Sequence, residues 1–75
     1  MTGPAEAALT LSDGIVKEKA RVRAIKAEYE ALPGGAGRIS AVMMEADLRE
    51  TDAAVASGSI TRMVIAYNAL KGYEL

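Results

Sequence analysis

Apolar residues recur along this chain with helical rather than strand spacing. Leu11, Ile15, Val22, Ile25, Tyr29 and Leu32 follow one another at steps of four, seven, three, four and three, a coiled-coil-like seam with a gap at Glu18. The pattern predicts a first helix over 10–32. Thr10 or Ser12 caps it, because Asp13 follows Thr10 by three residues in a variant of the capping box. Gly14 then falls in the first turn, where fraying relieves glycine's penalty of about 1 kcal/mol. Residues 1–9 read as a lead-in, and the Pro/Gly turn 33–37 ends the helix, since the residue before a proline avoids helical angles.

A second helix is predicted over 38–56, antiparallel to the first because the connection is short. It carries two apolar stripes. Ala41, Met44, Leu48, Thr51 and Val55 form one, and Ile39, Val42, Met43, Ala46 and Ala53 the other, so the helix requires two neighbours. A turn at 57–59 follows, with Ser57 or Ser59 as the cap of the next element. Ile60, Met63, Val64, Tyr67 and Leu70 fit a third helix over 60–71, with Gly72 where a left-handed C-cap belongs. The continuous apolar run from Met63 to Tyr67 also reads as a strand, but no second strand is there to pair with it. The expected fold is all-α: one small domain, a long helical hairpin with a shorter third helix folded across it, completed by oligomerisation.

Composition explains why oligomerisation enters. The chain has 75 residues, of which 51% are hydrophobic, but about a fifth of the chain is alanine and there is no Trp or Phe. A domain this small buries only about 60% of the surface its unfolded chain exposes. Cysteine is absent, so no disulfide supplements a thin core, and a second chain is the remaining remedy. The absence of His and Cys also excludes His- or Cys-based zinc sites, haem ligation and nucleophile systems built on either residue.

Net charge is −1 and the isoelectric point about 5.3, so no overall field draws the chain to nucleic acid or anionic membrane. The two signs are segregated. Lys17, Lys19, Arg21, Arg23 and Lys26 make the first helix basic; Glu45, Asp47, Glu50 and Asp52 make the second acidic, within reach of it in a hairpin. No apolar run approaches a membrane span and residues 1–8 lack the pattern of a secretory signal, so a cytoplasmic location is expected. Codon usage implied by Ala, Gly, Arg and Glu points to a GC-rich bacterial or phage genome.

Four constellations have a chemical as well as a structural reading. Gly35, Gly37, Arg38 and Ser40 precede or open a helix and offer amides, a guanidinium and a hydroxyl to an anion, but they lack the Lys-Ser/Thr ending of a phosphate loop, and a hairpin turn explains the glycines. The four carboxylates of the second helix split between two faces, which suits ion pairs better than a metal or acid–base site. Ala54-Val55-Ala56-Ser57-Gly58 has the alanine and glycine spacing of a helix-turn-helix, giving a DNA-binding alternative over 54–71; serines flank the glycine where apolar residues belong, and Arg62 is the lone arginine of the would-be recognition helix. Finally, Met63, Ile65, Tyr67, Tyr73 and Leu75 make the C-terminal segment apolar on more than one side, and are expected to bind a partner.

The expected function is therefore non-enzymatic: a homodimeric protein–protein interaction module, of the size of a bacterial or phage accessory or inhibitor protein, binding a macromolecular partner stoichiometrically. No cofactor and no metal is expected.

Overall fold

The computed structural model describes the backbone of residues 4–74 and the side chains of residues 10–74. Three helices, α1 (Pro4–Glu30), α2 (Arg38–Ser57) and α3 (Ile60–Lys71), account for most of it, with one 3-10 turn at Pro33–Gly35 and no strand among the described residues. The segment 60–71 is thus helical. The body is elongated, 50 × 19 × 14 Å.

The first helix starts at Pro4 rather than residue 10. Proline is preorganised for a first helical position, and Ala5 to Leu9 are strong helix formers, so the helix forms ahead of Thr10 and Ser12 and neither hydroxyl is needed as a cap. Gly14 consequently lies in the helix interior. The Tyr67 ring fills the space a side chain would take there, its Cε1 3.2 Å from where a Cβ would stand. At its other end α1 stops at Glu30, and Leu32 is extended (φ −65°, ψ 138°) as a residue before proline should be.

Gly34 and Gly35 then take left-handed angles (φ 67° and 72°), turning the chain within four residues of Pro33. Gly37 serves another purpose. A Cβ at Gly37 would overlap the Tyr29 backbone, standing 2.9 Å from its Cα, so this glycine sets how closely α2 starts beside the end of α1.

Consecutive helices are antiparallel. Lys19 pairs with Asp52 at 2.5 Å and Lys26 with Glu45 at 3.6 Å, a descending register that zips the basic face of α1 to the acidic face of α2 as expected. Gly58 (φ 70°) closes α2, and the Ser59 hydroxyl caps α3 by accepting from the Arg62 amide at 3.3 Å. Between α2 and α3 the register descends again, since Ala54 shares a cluster with Met63 and Ala66, and Leu48 with Leu70. The third helix therefore lies along the hairpin.

Two clusters form the core. Val22, Ile25, Met44, Leu48 and Leu70, flanked by Tyr29 and Tyr73, occupy one end; Ile15, Ala54, Met63 and Ala66, flanked by Leu11 and Tyr67, occupy the other. Thr51, fully buried between them in sequence, returns its hydroxyl to the Asp47 carbonyl at 2.7 Å. The inner stripe of α2 departs from expectation at one position: Ala54 is buried and Val55 is 43% exposed, because Ala54, three residues after Thr51, is the position that faces Met63 and Ala66. Leu32, at 44%, has also left the α1 seam, carried off by the extended backbone before Pro33.

The C-terminal cap differs too. Gly72 has right-handed angles (φ −72°), not left-handed ones. The last turn tightens instead, the Gly72 and Tyr73 amides donating to the Ala69 and Leu70 carbonyls, and the Arg21 guanidinium donates to the Leu70 carbonyl at 2.9 Å and the Tyr73 carbonyl at 2.6 Å while Glu18 holds its Nε at 2.7 Å. These backbone bonds and the side chain from α1 together satisfy the helix end without a Schellman turn.

Candidate interaction surface

Four carboxylates on α2 have partners within the chain. Glu45 accepts from Arg49 at 3.0 Å and lies near Lys26; Asp47 accepts from the Tyr73 hydroxyl at 2.5 Å; Glu50 pairs with Arg62 at 2.8 Å and Asp52 with Lys19. The Arg49 hydrogen bond, with Lys26 adding to it, holds the Glu45 carboxyl below its ordinary range. Desolvation and then the Asp47 contact push the Tyr73 hydroxyl up to about 12. No three carboxylates converge as a metal would require among the described residues. Nor is any described helix long and apolar enough to cross a membrane.

The glycine-loop residues are not brought to one point. Arg38 folds its guanidinium back over Gly35, and both line a cleft of about 540 Å³ with Lys26, Tyr29, Val42 and Glu45. Gly37, by contrast, is buried against Tyr29, and neither it nor the half-buried Ser40 reaches that cleft.

The predicted C-terminal partner-binding residues are also dispersed. Met63 is a core residue at 4% exposure; Tyr67 is half-buried over Gly14, with the Lys71 ammonium 5.2 Å from its ring; Tyr73 is half-buried against the other cluster. Ile65 remains 65% exposed, and Leu75 lies outside the described residues. Residues that the sequence places in the charged faces and the first seam cause this dispersal. Arg21 and Asp47 draw Tyr73 onto the body, and Tyr29 adds a hydrogen bond from its hydroxyl to the Glu74 carbonyl at 3.3 Å. Long-range contacts of this kind leave no local sequence signal.

As a recognition helix α3 is poorly placed. A helix-turn-helix crosses its two helices at about 90–120°, whereas α3 runs back along α2. Its Arg62 is already ion-paired and its Lys71 lies over Tyr67.

The outer stripe of α2 is different. Ile39, Val42 and Met43 are 78%, 64% and 56% exposed, and Ala46 and Ala53 continue the same face in the open. At 100° per residue this face is opposite Met44, Leu48 and Thr51, so neither α1 nor α3 can cover it. The spacing i, i+3, i+4, i+7 from Ile39 to Ala46 is that of a helix prepared for a helical neighbour. Comparison with protein-family models, curated proteins and solved structures finds no match to this chain.

Proposed function

We propose that this protein is a non-enzymatic interaction module that acts by stoichiometric association and pairs with a second copy of itself through the outer face of α2. The observation that carries this reading is the run Ile39, Val42, Met43, where three large apolar side chains stand in solvent within little more than one turn.

Surface area supports it. The chain exposes 5052 Å², against about 4,400 Å² for a compact monomer of its mass. The excess, about 650 Å², is partly a consequence of the elongated shape, and is of the order that one partner buries in a standard interface, about 800 Å². Burying the three side chains from each copy gains on the order of 10 kcal/mol before association costs of about 4–15 kcal/mol, which sets the dimer at an affinity on the order of tens of micromolar or weaker.

Light scattering across a concentration series tests the reading. The wild-type chain is expected to approach twice the monomer mass at high concentration, while Ile39→Lys and Met43→Lys stay monomeric with unchanged helicity. A wild-type chain that remains monomeric at hundreds of micromolar, or a dimer indifferent to both substitutions, would overturn it.

A further inference from the structure

Resting on that dimer reading, we infer that the two copies of α2 pair antiparallel about a two-fold axis near residues 41–43, with Arg38 of each copy beside Glu45 of the other. Two observations select this arrangement, one apolar and one electrostatic.

Written as heptads, the outer face places Ile39, Ala46 and Ala53 at one core position and Val42 and Arg49 at the other. Arg38, Glu45 and Asp52 then fall on one flank, and Met43 and Glu50 on the opposite flank. In an antiparallel pair like flanks meet. Arg38 makes no ion pair within the described chain and is exposed; it would reach the Glu45 carboxylate of the second copy, with Asp52 one heptad further along the same flank. Ile39, the most exposed large apolar residue, would lie over the small Ala46 side of its neighbour, and Val42 and Met43 would close around the axis. Symmetry doubles every contact.

A parallel pair would bring unlike flanks together instead. Glu45 of one copy would then face Glu50 of the other at both edges of the seam, and Arg38 would face Met43. Like charges so placed oppose the parallel form. Glu45 is ionised in any case, given its contacts with Arg49 and Lys26.

The chain contains no cysteine, so single-site spin labelling measures the orientation directly. Ala56 is exposed near the end of α2. With a label on Ala56→Cys, the antiparallel pair separates the two labels by roughly 40–45 Å along the axis, and a parallel pair by less than about 20 Å. A distance of roughly 40–45 Å supports the register. A short distance overturns it while leaving the dimer standing, and a wild-type chain that scatters as a monomer overturns both. Charge reversal supplies an independent arm. Arg38→Glu and Glu45→Arg should each weaken self-association at least fivefold, and a one-to-one mixture should recover the wild-type dissociation constant to within about twofold, because each mixed contact pairs opposite charges. Two variants that bind as the wild type does, or a mixture no tighter than its components, would refute the Arg38–Glu45 contact.

Discussion

At Gly37 the absence of a side chain decides how the hairpin closes. A Cβ would stand 2.9 Å from the Tyr29 Cα and closer still to its carbonyl, and backbone atoms at the end of a helix cannot swing aside. Gly37→Ala should therefore lower stability by about 2–3 kcal/mol in chemical denaturation. Gly34 serves as the comparison: nothing stands within 4 Å of its missing Cβ, so Gly34→Ala carries only the left-handed backbone penalty of about 1 kcal/mol. Equal losses at the two sites would contradict the close-approach explanation. Tyr73 makes a second residue-level prediction. Its hydroxyl is raised to about 12 in the folded chain, by desolvation first and by Asp47 second, from the usual 10. The folded state thus holds this proton more tightly than the unfolded state. The associated stability is complete below pH 10 and is lost as pH rises through 12. Melting temperatures of Tyr73→Phe should fall less steeply than wild type over that interval, and parallel curves would count against the Tyr73–Asp47 bond as the cause.

Among the elements, α3 depends most on what lies beyond it. It has 12 residues, too few for appreciable helicity alone, and Arg21 of α1 donates to the Leu70 carbonyl in its last turn and to the Tyr73 carbonyl just beyond. Arg21→Met keeps the aliphatic stem and removes both hydrogen bonds. It should cost about 1–2 kcal/mol and accelerate hydrogen exchange at the Gly72 and Tyr73 amides, whose acceptors are Ala69 and Leu70, while the α1–α2 hairpin keeps its protection. Uniform acceleration across the chain would instead indicate global destabilisation. The same contrast explains what the sequence could reveal. Ile15, Val22, Ile25, Met44 and Leu48 were legible because a periodic seam is a local property, and Ser59 as a cap because capping reaches only three residues. The start of α1 was obscured by two competing local signals, Pro4 and the hydroxyls at Thr10 and Ser12. Arg21, Asp47 and the approach at Gly37 arise only when distant segments meet. Tyr73 looked available for a partner for that reason: nothing near it in sequence announces that α1 and α2 both claim it.

For the molecule as a whole, the question is how much of its stability comes from its own core. Ten buried apolar residues among the described ones, three of them alanine, leave a thin interior. The six ion pairs among the described residues are largely at the surface and fix register more than they add stability. If a second copy covers Ile39, Val42 and Met43, unfolding is coupled to dissociation, and mass action makes the melting temperature depend on concentration. A tenfold increase in a dimer adds about 1.4 kcal/mol per dimer, or half of that per chain, which for a domain of this length corresponds to about 3–5 °C. Calorimetry on the wild-type chain should show that rise. Met43→Lys, which removes an exposed side chain from the seam and touches neither core cluster, should melt at one temperature whatever its concentration. Should both melt independently of concentration, the two small clusters alone would sustain the fold, and the outer face of α2 would contribute nothing to it.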